Sequence, residues 1–257
     1  MVNLFHSFAK TTSRANFFKF LLLVRMGVVV SLVALALKLP AQSQFAAGLF
    51  ASSPASNYGS TGFAKGGFAN PGWGVFLHSR SDIGMLPAGF QLEFRFTFQR
   101  HAFNTAALER AWNPFFESRF AVETNTRIST GAYRPVQLSL GPSYFWKLSP
   151  DWSTRFSAGV GVLFANMDEV TFAISNAAGT TFALETLATG SEPLFSWYGG
   201  VGVERSLGDS WSAGVFCDII GGRSDIETDF DLPNAFEPTR PVLFVNTGLF
   251  LVYRLGD

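Results

Sequence analysis

Beyond residue 43 the chain alternates apolar and polar side chains with a period of two. The clearest stretch is Gly89 to Arg100. Phe90, Leu92, Phe94, Phe96 and Phe98 share one parity, and Gln91, Glu93, Arg95, Thr97 and Gln99 share the other. Successive side chains of a strand point to opposite faces, so this pattern predicts a strand with one greasy and one polar face. Residues 72–80, 133–147, 152–165, 194–205, 211–221 and 241–254 repeat it, and Gln44 to Ala51 repeats it more weakly. Leu138, Val160, Val201, Val215 and Leu249 carry the apolar parity. The opposite parity is rich in Gly and Ser, which predicts small side chains on that face.

Eight strands result, each near the ~9–11 residues that a tilted membrane strand needs. Their connections alternate long and short. Those at about 52–70, 102–132, 166–193 and 222–240 are long, whereas 81–88, 148–151 and 207–210 are short. Short turns at one end and long loops at the other are the layout of an outer-membrane barrel, with both mature termini at the periplasmic face. No later segment offers 18 uncharged apolar residues in a row, so membrane-spanning helices are excluded. In lipid every backbone N–H and C=O must be paired within the protein, and strands achieve this only by closing on themselves. The reading is therefore an all-β, eight-stranded antiparallel up-and-down transmembrane barrel. Trp146, Trp152, Trp211 and Tyr253 fall near the short turns and predict an interface belt.

Composition adds an address. Lys10, Arg14, Lys19, Arg25 and Lys38 precede Ala41 and no acid does; the remainder holds 14 basic against 19 acidic residues, a net of about −5. A basic start, an apolar run over Gly27 to Leu37 and the small residues Ala41 to Ser43 predict a signal peptide over 1–42, with the barrel domain over 43–257. Charged residues make up only 15% of the chain, against about 25% in ordinary globular domains. Neither disorder nor nucleic-acid binding fits that balance. Cys217 is the one cysteine, so an intrachain disulfide is excluded, as is a site built from several thiolates.

The last strand carries a resemblance. Asn246, Gly248, Leu251 and Tyr253 in Asn-Thr-Gly-Leu-Phe-Leu-Val-Tyr resemble the C-terminal assembly signal of outer-membrane barrels, although the chain continues past Tyr253 to Asp257. Residues 44–254 resemble the small eight-stranded OmpA/OmpX-like superfamily, and within it the PorT-like outer membrane protein β-barrel domains. The resemblance implies a barrel inserted by the assembly machinery, surrounded by outer-membrane lipids and monomeric. It implies a structural or surface-interaction role and no cofactor.

The polar parity places His78, Arg80, Glu93, Arg95, Lys147, Arg155, Glu204, Asp218 and Arg254 in the lumen. Charges there are costly unless paired, which predicts an internal ion-pair network that fills the barrel; a narrow small-solute or proton path is the rival. Two other chemistries can be drawn. His101 with Ser118 or Ser129 and Glu109 or Glu117 would suit a lipid-modifying hydrolase or acyltransferase, in which a base activates a nucleophile. Asp225, Glu227, Asp229 and Asp231 alternate in the last long loop and would suit Ca²⁺, but they lack the DxDxDG order of a calcium loop. Neither spacing is specific. No catalytic residue and no metal ligand is therefore assigned. Phe103, Trp112, Phe115, Phe116 and Phe120 make the second long loop apolar. That predicts packing on the barrel rim or a binding patch for a surface ligand, with one helical turn at Ala106 to Arg110.

Overall fold

The computed structural model describes residues 43–62, 66–82, 87–129, 131–189, 193–228 and 239–255. The expected signal peptide lies outside them, as do Asp229 and Asp231. The strands are β1 (Gln44–Ala55), β2 (Gly72–Asp82), β3 (Phe90–Ala102), β4 (Thr124–Ile128), β5 (Ala132–Lys147), β6 (Trp152–Met167), β7 (Val170–Asn176), β8 (Thr181–Thr189), β9 (Leu194–Ser206), β10 (Trp211–Thr228) and β11 (Thr239–Arg254). Eight of them run β11-β1-β2-β3-β5-β6-β9-β10, and the pairing of β10 with β11 closes the ring. Every barrel pair is antiparallel. The chain is thus an eight-stranded antiparallel up-and-down barrel, as the alternation predicts.

The apolar parity faces out. Leu49, Phe195 and Leu249 are 67–68% exposed, and Leu77, Leu140, Phe156, Val160, Val201, Val215, Ile219 and Leu251 are exposed with them. On β11 the outward positions run from Leu243 to Tyr253. At ~3.3 Å per residue that is about 33 Å along the strand, or about 25 Å upright at a 40° tilt. An apolar band of about 25 Å is the height of the lipid-facing zone of membrane barrels. Trp146, Trp152, Trp211 and Tyr253 are exposed at the short-turn end, and the Trp211 and Tyr253 rings lie 4.9 Å apart, tilted by 51°.

Two expectations need correction. The long connections are not plain loops. The second holds a 16-residue helix, α1 (Thr105–Phe120), where the sequence predicts a single turn at Ala106 to Arg110. Asn104 caps it, its side chain accepting from the Ala107 N–H at 3.2 Å. Leu108, Trp112 and Phe116 recur four residues apart and form its buried face. β4, β7 and β8 also lie inside the long connections. The far end of β10 outgrows the barrel and pairs with β8, which extends the sheet through β7 to β4. Buried Val170, Phe172 and Ile174 of β7 pack with the helix; Phe172 lies 5.2 Å from Trp112 and 5.4 Å from Phe116. This apolar face meets another element, not lipid: the helix and its sheet share one hydrophobic core with Tyr58, Tyr133, Leu163, Tyr198, Ile220 and Phe244 at the loop end of the barrel.

The inward parity is the second correction. It is not uniformly small: Phe50, Phe76, Phe216 and Phe250 point into the barrel and are buried.

Candidate functional site: the lumen and the loop end

The interior has two walls of different chemistry. On β2, β1, β11 and β10 each strand carries Gly-x-Phe: Gly74-Phe76, Gly48-Phe50, Gly248-Phe250 and Gly214-Phe216. Residues two apart share a face. The antiparallel register sets each Phe opposite a Gly of the neighbouring strand: Phe50 faces Gly74 and Gly248, Phe76 faces Gly48, Phe250 faces Gly48 and Gly214, and Phe216 faces Gly248. The result is a checkerboard of rings and gaps. A Cβ on Gly48 would strike the Phe76 ring, one on Gly74 the Phe50 ring, and one on Gly214 the Phe250 ring. The rings contact each other edge to face, Phe76 with Phe216 at 4.9 Å and Phe50 with Phe216 at 6.0 Å. That geometry suits the ring quadrupoles.

The other wall, β3, β5, β6 and β9, carries Glu93, Arg95, Arg155 and Glu204 among hydroxyls and glycines, and these meet His78 and Arg80 of β2 and Asp218 of β10. Glu93, Arg95, Arg155 and Asp218 are fully buried, and so is Arg80; Glu204 and His78 are 2% and 3% exposed. Two ion pairs cross the barrel between strands four places apart in the ring. Arg80 Nη1 on β2 donates to Glu204 Oε2 on β9 at 3.2 Å, and Arg95 Nη1 on β3 lies 2.5 Å from Asp218 Oδ2 on β10. A third pair joins Arg155 Nη1 to Glu93 Oε2 at 3.4 Å. His78 sits among them. Its Nε2 accepts from Arg80 Nε–H at 3.0 Å, and its Nδ1 lies 3.3 Å from Arg155 Nη1 and 3.6 Å from Glu93 Oε1. The guanidinium groups also tie the two walls together. Arg95 stacks on Phe76 at 4.6 Å, and Arg155 on Phe250 at 5.3 Å. Such stacking gains strength where water is excluded.

The structure therefore brings together seven of the charged or basic residues read into the lumen, and Arg254 approaches Glu204 at 3.6 Å from the turn end. Lys147 does not join them. It is exposed at the end of β5 beside the 148–151 turn, so its inward parity has no lumen left to point into. Of the C-terminal residues, Asn246 is buried beside Asp218 in register, Gly248 lies against Phe50, and Leu251 and Tyr253 face out. Cys217 is exposed on the outward parity.

Above the ion pairs the loop-end mouth is filled by residues 56–62 and 66–70. Tyr58, in a one-turn 3-10 helix, packs on Tyr133 at 4.7 Å and Phe244 at 5.0 Å, and the Tyr133 hydroxyl donates to the Gly67 carbonyl at 2.7 Å. Burial, then the neighbouring Tyr133, push the Tyr58 hydroxyl well above its ordinary value of 10.0. His101 is buried beneath it, with ring nitrogens 3.0 Å from the Asn70 carbonyl and 3.2 Å from Gln99 Oε1. Three of the residues drawn around it as a catalytic group have other partners. Glu109 accepts from the Ile128 N–H, Glu117 from the Asn113 amide, and Ser129 from the Thr171 N–H. Among the described residues no group of His, Cys, Asp or Glu has metal-site geometry. The side chains of Asp225 and Glu227 lie outside the description. On the loop end a groove of about 620 Å³ runs between α1 and β4, lined by Glu109, Arg110, Asn113, Thr124, Thr126 and Asn176 among others.

Sequence reasoning missed the Gly-x-Phe repeat, although it was visible. Four copies in four strands are a signal, once parity is followed for glycine as well as for large residues.

The class of protein follows from the chain's own geometry: a closed, up-and-down, eight-stranded barrel with an apolar outer band and a filled interior. Neither protein-family models nor curated proteins match the chain. Solved structures share its outline. One is the Neisserial surface protein A, at 7% identity and TM-score 0.46 over 84% of this chain and 97% of that one. Another is Ail, the attachment invasion locus protein of Yersinia pestis, at 13% identity and TM-score 0.42 over 84% and 99%. A third is a major outer membrane protein from Thermus thermophilus, at 13% identity and TM-score 0.41 over 82% and 99%. At such identities the likeness concerns the course of the chain alone.

Proposed function

We propose that the protein is an integral outer-membrane barrel whose lumen is a filled support and whose working surface is the loop end. Both mature termini then face the periplasm, and outer-membrane lipids surround the band from Leu243 to Tyr253. The observation that carries this reading is the coincidence of three features in one molecule. The outward face is a continuous apolar belt of membrane height, the interior is crossed by ion pairs and packed rings, and the loop end bears an ordered helix and sheet with a polar groove. A belt of exposed Leu, Val, Phe and Trp of this extent has no place in water. Diametric ion pairs and a four-ring cluster oppose an open pore. The helix and sheet packed on the loop end support a surface-binding role, with the groove between α1 and β4 as the contact site for an external ligand.

The test combines fractionation with topology. The chain should sediment with outer membranes and run at different mobilities on unboiled and boiled SDS gels. In a Cys217→Ser background, a membrane-impermeant maleimide added to intact cells should label Asn125→Cys on β4 and leave Asp151→Cys in the 148–151 turn unlabelled. The reverse labelling would invert the orientation. A soluble periplasmic protein without a mobility shift would overturn the membrane reading.

A further inference from the structure

The sheet above the barrel ends in an open edge. Its order there is β10-β8-β7-β4, and among the described residues β4 pairs with β7 alone. In an antiparallel pair the N–H and C=O of one residue point to the partner strand, and those of the next point away. The Ser129 N–H donates to the Thr171 carbonyl of β7 at 3.0 Å. Two-residue steps from Ser129 then turn the backbone groups of Arg127 and Asn125 toward β7, and those of Ile128, Thr126 and Thr124 away from it. Ile128 shows this directly, because its N–H donates to Glu109 Oε1 on α1 at 3.1 Å. That carboxylate sits where the carbonyl of a further strand would sit. The N–H and C=O of Thr124 and Thr126 lie on the same side and have no partner among the described residues.

The space beside this edge is open. The groove of about 620 Å³ runs between it and α1. Asn113 Oδ1 accepts from the Thr124 hydroxyl at 3.2 Å and from the Thr126 hydroxyl at 3.0 Å, so both side chains are tied to the helix while the main chain beside them stays free. The groove lining holds two carboxylates, Glu109 and Glu123, against one cation, Arg110, and is acidic on balance. The edge also stands clear of lipid. β8 joins β10 at Ile226 to Thr228, five to seven residues past Gly221, which pairs with Leu243 at the top of the apolar belt. At 3.3 Å per residue that is about 16–23 Å along the strand.

We propose that the groove receives an extended, basic segment of a partner polypeptide, which adds to β4 as the next strand of the sheet. A row of unpaired N–H and C=O groups is a template for another strand. An extended backbone matches it because its own donors and acceptors repeat at the same two-residue spacing. Main-chain hydrogen bonds to Thr124 and Thr126 supply the affinity, and Glu109 and Glu123 select Lys or Arg on the incoming segment. The inference rests on the loop-end reading above and names the kind of partner that surface takes.

The probe is the fluorescent peptide Lys-Thr-Val-Thr-Val-Thr-Lys, titrated with the detergent-folded full chain and followed by polarisation. The expected result is saturable binding that weakens at least tenfold when the three central residues of the peptide are N-methylated, a change that removes donors on both of its edges and leaves its charge intact. Thr126→Pro removes the outward N–H at the middle of the edge and spares the β4–β7 ladder, in which that N–H takes no part. It should weaken binding at least tenfold as well. Should Thr126→Pro not fold, the N-methylated peptide decides alone. Absence of binding, or equal affinity for the parent and N-methylated peptides, would overturn the proposal. Association of the chain with itself, lost in Thr126→Pro, would overturn it too by assigning the edge to a second copy. The maleimide label on Asn125→Cys separates the two readings. Labelled cells without peptide binding overturn strand addition and leave the loop end at the surface, whereas unlabelled cells overturn the loop-end reading itself.

Discussion

The two walls of the lumen solve the same problem by opposite means. On β10, β11, β1 and β2 rings set against glycines fill the inside by steric fit, and among the buried residues of that wall only His78, Arg80 and Asp218, at β2 and β10, add charge. On β3, β5, β6 and β9 it is filled by charge reaching across the barrel, and side chains such as Ser139, Ser143 and Ser157 keep hydroxyls with no partner among the described residues. The first wall resembles a protein core, where a change of one methylene is felt. The second depends on pairing, so loss of a single partner is costly while loss of a hydroxyl is not. The comparison teaches that a narrow barrel need not be polar inside. It needs its few buried charges matched and the rest packed.

Breaking a cross-lumen pair should have the largest effect. Asp218→Ala leaves Arg95 buried and unpaired at the centre of the barrel and should cost ~3–5 kcal/mol in urea unfolding. The double variant Arg95→Met/Asp218→Leu should recover a large part of that loss; full additivity of the two single effects would show that the pair is not coupled. Phe216→Ala opens a cavity in the aromatic wall and should cost about as much, ~3–5 kcal/mol. Gly74→Val attacks the same wall from the other side by pushing on Phe50, at ~1–3 kcal/mol. Ser143→Ala on the polar wall should fall within ~0.5 kcal/mol, and a loss as large as that of Gly74→Val would erase the distinction between the walls. Tyr58 gives the smallest effect and the only one that depends on pH. Its folded-state value lies above 10.0, so above pH 10 the unfolded chain sheds the proton while the folded chain retains it. Stability therefore falls as pH rises through that value, and Tyr58→Phe should flatten the decline and change little at pH 7.

Much of this architecture is legible from the chain. Phe90 to Phe98 on β3 alternate without interruption because one face of the strand lines the polar interior and the other the apolar outer band. The short turns at 148–151 and 207–210 are legible for a related reason, since a two-stranded reversal leaves few residues to misassign. The loop-end core is harder to read. β7 shows Val170, Phe172 and Ile174 on one parity, but over seven residues, too few to separate a strand from a loop with apolar residues. α1 carries Pro114 in its interior, which argues against a long helix from sequence alone. Its Leu108, Trp112 and Phe116 spacing is the countervailing signal. Inside the barrel, parity alone places Arg80 and Glu204 on inward faces of distant strands, but which arginine meets which carboxylate depends on the shear of the closed sheet, and that is set by all eight registers together. Lys147 shows the limit of parity: at the last residue of a strand the inward direction leads past the end of the barrel.

Cys217 offers the most direct test of the membrane account, since it is the one cysteine of the chain and is exposed on the outward face of β10. A nitroxide attached there, in the chain folded into phospholipid vesicles, reports which medium surrounds the belt. The account predicts broadening by oxygen, which concentrates in hydrocarbon, and protection from a water-soluble nickel complex. Free access of the nickel complex to the label, with the barrel intact on an unboiled gel, would contradict it.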